Sequence, residues 1–574
     1  MVESIFLKKN GIDKKFENEV FTCFLFEKGI STEGDIHFYN CTFKNTFCLE
    51  DVEARELSFL DCTFEGIFYL YNSSFAIGGF TNCIFLEETK FTSNKFSSFF
   101  ILRNIQASQL KINGEYQNLQ FVSSRINKLV LHDVNFERLN RESKIEFLVE
   151  NVIEDLRINS FSSQSNITFY SSKYKNVFFE GTFEGAISLK ENIRIKNLYF
   201  ESSTFKKRID FEQGKFEYVS FYRSIFLSLI VINDKLFSES KSKIIQIRNL
   251  TIHSCSFEMD MHLNIQKIKY LDLSNNNFKQ LFHFNNYASR NDRINYLQKQ
   301  KIGVSINGTN QGNIIIEQGY LYVNLSNINF GNIIFKDLDI SHLYIKDFQN
   351  EGNITFSNID SGEYFVIQDS ITGNINFLNF DVNIFEEIVI ANSTLNGINF
   401  NIYPNKILSY SKNPIMGFGI SNKTKSISNL KSIYNQLKHI SRNKGDIDSS
   451  IKFQALEYKA LLRSKKIDYD TVLLLLNWLS NDNGRSWPRG VIFTLVIGLL
   501  FFTLYLKTIG TSFNLYYHYQ DYIVFISSFP KLELEKYSCE NNNWTTKLVV
   551  WLSRIFISYG IYQTIAAFRK YGKG

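Results

Sequence analysis

At 574 residues the chain exceeds a single ordinary hydrophobic core, so several domains or a repeat architecture are expected. With 21% charged residues and a net charge of +6, bulk charge indicates neither a nucleic-acid binder nor a disordered acidic chain. The seven cysteines include no CxxC pair, which argues against the usual zinc-ligand spacing.

The rare residues divide the chain. Its four prolines are Pro404, Pro414, Pro488 and Pro530, and its four tryptophans are Trp478, Trp487, Trp544 and Trp551. A proline-free run of 403 residues suits a continuous hydrogen-bonded ladder, because proline removes a ladder donor. Tryptophans flanking apolar segments suit a membrane–water boundary. Met1 to Lys15 shows no basic region followed by an apolar stretch, so no secretory signal is read there and the N-terminal part is expected in the cytosol.

Residues 1–34 read as an N-terminal cap. Beyond them His37–Phe43, Ser58–Phe64 and Gly79–Phe85 superpose at a spacing of 21 residues, each with two Phe five apart. The beat recurs in Phe91/Phe96, Phe200/Phe205, Phe211/Phe216 and Phe221/Phe226. A five-residue apolar period is neither helical nor a simple alternating strand. It predicts a coil of four walls per turn, with one large apolar side chain per wall pointing inward. Over residues 35–403 this gives about 17 turns, or roughly 80 Å at the inter-strand spacing.

These segments resemble the pentapeptide-repeat family, which carries Phe or Leu at the central position and a small residue two before it. Cys41/Phe43, Cys62/Phe64, Cys83/Phe85 and Cys255/Phe257 match both positions. The resemblance implies a right-handed quadrilateral β-helix. It is strong over 35–100 and 198–226 and degenerate over 101–197 and 227–320, where insertions are expected. Leu271–Asn276 looks like a leucine-rich fragment and reads as one more wall with an Asn ladder. Cys41, Cys62 and Cys83 would stack as a reduced core ladder beside Phe43, Phe64 and Phe85, with neither metal nor disulfide.

After a linker over 404–425 the beat gives way to helical spacing. Ile427, Leu430, Ile433, Tyr434, Leu437 and Ile440 share one face, Gly445–Asp446 breaks the helix, and Asp446 or Asp448 caps the next. The connector over 426–480 is basic, from Lys423 to Lys466, and could bind anionic headgroups or pack on the solenoid end. Its segment Tyr434–Lys438, with Gly445–Asp446 and Phe453–Glu457, resembles the helical connector of bacterial pentapeptide-repeat membrane proteins, some of which continue into a two-helix, potassium-channel-type pore.

Residues 481–574 read as a transmembrane hairpin with spans near 489–508 and 548–568. Trp487, Trp544 and Trp551 would sit at the interfaces. Arg485 and Arg489 before the first span, and Arg569 and Lys570 after the second, place both ends in the cytoplasm. Arg554 lies roughly 10 Å into the second span, where it either snorkels to the near interface or serves a function. The run Tyr522–Pro530 lacks a TVGYG-type filter. Asn481–Trp487 and Tyr562–Tyr571 resemble the corresponding parts of Bacteroidetes-type pentapeptide-repeat membrane proteins, a resemblance that leaves function open.

The chain holds no phosphate loop, dinucleotide fingerprint, HExxH or GxSxG motif. No enzyme activity and no cofactor are therefore expected. The expected function is a membrane-anchored binding or sensing scaffold at the bacterial inner membrane, contacting lipid and a protein partner along the solenoid; nucleic acid is a poor fit. The alternative is an oligomeric ion channel or membrane-permeabilising effector, by analogy in anti-phage defence, with Arg554, Gln563, Ser527 and Ser528 lining its path.

Overall fold

The computed structural model describes residues 13–571, apart from 23, 26–30, 32, 136–142, 162–164, 233–244, 266, 286–300, 361, 411–422, 465–468, 513 and 528–543. Contacts divide the chain into two compact units. One comprises 1–365, 373–386 and 399–402; the other comprises 366–372, 387–398 and 403–574.

The first unit is a β-solenoid of parallel strands, and the chain as a whole makes about 16 turns of about 21 residues. Phe38 lies opposite Phe59, and Phe59 opposite Phe80, each pair 21 positions apart. Their rings stack at centroid distances of 4.6 Å and 4.6 Å, and Phe43, Phe64 and Phe85 stack at 4.7 Å and 4.7 Å. Those distances are the inter-strand spacing itself, so the backbone ladder and the ring column share one repeat. Each fully buried Phe contributes about 1.5–3 kcal/mol, which makes the column the main cohesive element of this part of the core.

Strands begin earlier than residue 35. Lys14–Glu17 pairs with Ile36–Tyr39, so a wall of the solenoid lies inside the segment read as a cap. Strands also continue through the two stretches where the sequence pattern fades. There one inward-facing column is aliphatic: Leu110, Leu129, Leu156, Val177, Leu198, Val219, Leu250 and Leu271 succeed one another turn by turn. The expected insertions lengthen individual turns. Phe121 meets Phe147, Phe226 meets Phe257 and Asn277 meets Gln311, offsets of 26, 31 and 34 residues. The extra residues fall at 136–142, 233–244 and 286–300, outside the described ones.

Corners are made by side chains as well as by backbone. Asn40, Asp61 and Asn82 adopt φ of 49°, 56° and 53°, the left-handed region that Asn and Asp tolerate best among non-glycine residues. Their amides form a ladder: Asn40 donates to Asn18 at 2.7 Å, Asn82 to Asp61 at 2.8 Å and Asn104 to Asn82 at 2.8 Å. The small residue that follows each corner turns inward. In the leucine-rich fragment Asn276 is buried, and its Oδ1 accepts from the Cys255 amide at 3.0 Å, so this wall continues an internal polar ladder.

In the second unit, helix α1 (Lys423–Asn443) and helix α2 (Ile447–Ser464) form a hairpin. Gly445, at φ 79°, ends the first, and Asp446 caps the second by accepting from the Ser449 amide at 3.0 Å. The buried face of α1 runs through Ser426, Asn429, Ile433, Tyr434, Leu437 and Ser441, while Ile427, Leu430 and Ile440 are only half-buried. The expected apolar face is therefore rotated towards polar residues, because α1 meets bare backbone. Asn429 accepts from the Asn392 amide at 2.8 Å and donates to the Ile390 carbonyl at 2.8 Å. Gln436 accepts from the Leu395 amide at 2.7 Å and donates to the Ser393 carbonyl at 3.1 Å. Two side-chain amides thus take the place of a next strand along an otherwise open edge.

Candidate membrane-anchoring site

Helix α3 (Tyr469–Asn481) follows, then α4 (Trp487–Thr508), α5 (Leu515–Ser527) and α6 (Trp544–Tyr571). Of these α4 and α6 are long and apolar enough to cross a membrane. At 1.5 Å per residue the 22 residues of α4 extend about 33 Å, enough for the ~30 Å hydrocarbon layer. The second helix begins at Trp544, four residues before the expected boundary, which brings Thr545, Thr546 and Lys547 into the helix. The hairpin also carries two shorter apolar helices, α3 and α5, that the sequence does not separate from their surroundings.

Ser486 caps α4, accepting from the Arg489 amide at 3.4 Å, and Pro488 sits in the first turn, where its missing N–H costs nothing. Three successive left-handed residues, Asp482, Asn483 and Gly484, with φ of 51°, 59° and 91°, join α3 to α4. Asp482 then pairs with Arg485 at 3.8 Å and Arg489 at 3.7 Å. The two arginines expected at the cytoplasmic entrance are thereby fixed to the turn that starts the span.

α4 and α6 approach through small residues. A Cβ on Gly490 would lie 2.5 Å from Thr564 Oγ1, and one on Gly560 would lie 2.4 Å from Thr494 Oγ1. Gly490 and Thr494 on α4, like Gly560 and Thr564 on α6, lie four residues apart, the spacing that lets apolar helices pack closely, while Gly498 faces Ile526 of α5. That signal was legible in the sequence. Farther along, Phe502, Tyr505, Leu506, Phe525, Val550 and Ile557 close a common core.

A polar cluster joins α3 to α6. Asn481 donates to Gln563 Oε1 at 2.6 Å, Gln563 donates to Asn477 Oδ1 at 2.7 Å, and Tyr559 donates to the same oxygen at 2.6 Å. Gln563 is buried and engaged on both sides of its amide. Arg554 donates to the Phe525 carbonyl at 3.2 Å and lies 5.6 Å from the Phe525 ring centroid, so its charge is turned onto α5. Ser527 donates to the Ile523 carbonyl of its own helix at 2.7 Å, and Ser528 falls outside the described residues. Residues 522–527 are helical and pack on α4, with Tyr522 donating to the Leu495 carbonyl at 2.6 Å.

Trp487, Trp544 and Trp551 are exposed, and Trp487 stands 5.0 Å from the Phe568 ring. Arg569 is exposed near the end of α6; the Lys570 side chain lies outside the described ones. Only 33% of the most apolar stretch of α4 and 22% of that of α6 is buried, so most of their apolar surface is uncovered.

In the solenoid Cys41, Cys62 and Cys83 are buried free thiols. The Cys41 Sγ donates to the Tyr39 carbonyl at 3.3 Å and that of Cys62 to the Leu60 carbonyl at 3.3 Å. The hydrogen bond with Cys62, then burial, raise the Cys41 pKa. For Cys62 the bond with Cys41 lowers it, but the bond with Cys83 and burial outweigh that and push it up to about 12. Thiols so raised are poor metal ligands and poor nucleophiles. Asp35, His37 and Glu56 lie close together, yet Asp35 is bonded to Arg55, whose hydrogen bond holds its carboxyl below the usual range.

Comparison with protein-family models, curated proteins and solved structures gave no match. Sequence and structure together define the class: a β-solenoid followed by helices, two of which are able to cross a membrane.

Proposed function

We propose that the chain is a non-enzymatic scaffold of the pentapeptide-repeat type, held in a bacterial inner membrane by α4 and α6, with the solenoid and the C-terminus in the cytoplasm. The carrying observation is the outward-facing apolar surface of α4 and α6, which water would not tolerate uncovered. Arg485 and Arg489 before α4 and Arg569 near the end of α6 lie at the same end of the hairpin, where Trp487 meets Phe568, and support the orientation. The walls of the solenoid are the surface offered to a protein partner, as in other repeat architectures. The scaffold is preferred to a pore because Gln563 and Arg554 are engaged within the chain, and residues 522–527 are helical rather than an extended filter.

Light scattering on the detergent-purified chain tests this reading. A monomer or dimer supports it. A discrete ring of four or more copies, with conductance in planar bilayers, overturns it in favour of the channel.

A further inference from the structure

The charges along one face of the solenoid are distributed unlike those elsewhere in the same unit. Elsewhere in the unit cations find carboxylates on the neighbouring turn: Lys111 meets Glu88 at 2.7 Å, Lys206 meets Glu184 at 2.6 Å, and Lys279 meets Glu258 at 2.8 Å. Over five consecutive turns two columns are instead mostly cationic. Lys173, Arg194, Lys215, Gln246 and Lys267 lie directly above one another in the strand register. Two residues further along each wall, beyond one inward-facing side chain, a second column reads Lys175, Lys196, Glu217, Arg248 and Lys269.

Eight of these ten positions are Lys or Arg and one is acidic, a net of seven positive charges against +6 for the entire chain. All eight cations are exposed. Among the described residues only Lys175 has an ion-pair partner, Glu154 at 3.7 Å. Like charges stacked across neighbouring strands destabilise a sheet, so a run of this length carries a cost. The two columns border a groove of about 480 Å³, floored by the buried Ile195 and Phe216. Its volume falls in the range of small-molecule sites.

We infer that this groove is a binding site for a soluble, linear polyphosphate group, such as that of a polyphosphorylated metabolite. Successive positions in each column are about 4.8 Å apart, giving a run of about 19 Å over four steps, with Gln246 and Glu217 as the two breaks in the cations. An extended acidic peptide offers one carboxylate per ~6.6 Å on a given face, too sparse to neutralise both columns. Single-stranded nucleic acid normally adds stacking on aromatic faces, and the two rings that line the groove, Tyr174 and Phe216, are buried. The inference goes beyond the scaffold reading and does not depend on membrane anchoring, because all ten positions belong to the first unit.

The test uses the full-length chain in nanodiscs of zwitterionic lipid, titrated calorimetrically with orthophosphate, tripolyphosphate and a single-stranded oligonucleotide. Saturable binding that strengthens from orthophosphate to tripolyphosphate is expected, weakened at least tenfold in an Arg194→Gln/Lys215→Gln variant and retained by Lys128→Gln, outside the groove. The charge-keeping Arg194→Lys/Lys215→Arg variant should bind within threefold of the parent, which separates lost charge from lost fold. Tripolyphosphate binding that is absent, or equal in the glutamine variant, overturns the inference. Binding of the oligonucleotide alone overturns it in favour of nucleic acid.

Discussion

Asn481 donates its Nδ2 hydrogen to Oε1 of Gln563 at 2.6 Å, across 82 positions of sequence. The same Asn481 accepts from the Gly484 amide at 2.8 Å, so one side chain both shapes the turn into α4 and fastens it to α6. Replacing Asn481 by Leu should lower the unfolding free energy in detergent by about 1–2 kcal/mol, because the buried Gln563 loses a partner. Asn481→Leu combined with Gln563→Leu should cost less than the two single changes summed. Thermal or denaturant unfolding of the four proteins of that cycle measures the coupling.

Gly490→Val should separate α4 from α6 and destabilise the helical unit by about 1–3 kcal/mol, since even a Cβ there lies 2.5 Å from Thr564 Oγ1. Gly490→Val with Thr564→Ala should recover part of the loss. Melting curves of the purified variants in detergent check both expectations.

Asn429→Ala and Gln436→Ala should leave the bulk of the solenoid intact and loosen one edge. The amides of Asn392 and Leu395 lose their acceptors, so their hydrogen exchange should accelerate by one order of magnitude or more, while amides in the Phe38–Phe80 column are unaffected. The uncovered edge should also raise the tendency to aggregate, visible by light scattering at the same concentration.

Burial pushes the Cys255 thiol up to about 12, and for Cys62 the lowering bond with Cys41 is outweighed by the bond with Cys83 and burial, to the same end. Below pH 9 these thiols are protonated in both the folded and the unfolded chain. Between pH 9 and about 12 the unfolded chain releases protons that the folded one retains, so stability falls as pH rises, by about 1.4 kcal/mol per pH unit for each thiol. In the native protein at pH 8.5 both should resist alkylation and react only on unfolding. Mass-mapped alkylation with and without denaturant reads this directly.

How much of this was legible in the sequence follows from which groups repeat. The Phe columns announce the 21-residue turn because Phe is distinctive at one position per wall. The stretch through Leu129, Leu156 and Val177 hides the same geometry, because aliphatic residues are common everywhere and the turns there vary from 21 to 27 residues. The two apolar spans and their flanking Trp and Arg residues stand out by composition, whereas α3 and α5, at 13 residues each, are too short for a span-length window. The partners of Gln563 and Arg554 are set by tertiary packing, Asn477 and Asn481 for one and Phe525 for the other, and no local pattern reports them. Asn429 and Gln436 were hidden for another reason. An apolar-face reading of α1 discounts polar residues, yet these meet unpaired backbone.

The central claim is that α4 and α6 hold the chain in a membrane, and alkaline carbonate extraction of membranes from cells expressing the full-length chain tests it most directly. Integral insertion predicts that the protein stays in the membrane pellet at pH 11, and that a chain with Val496→Asp and Ile555→Asp, on the exposed apolar faces of the two spans, is lost from it. Release of the unaltered chain into the supernatant would contradict the account.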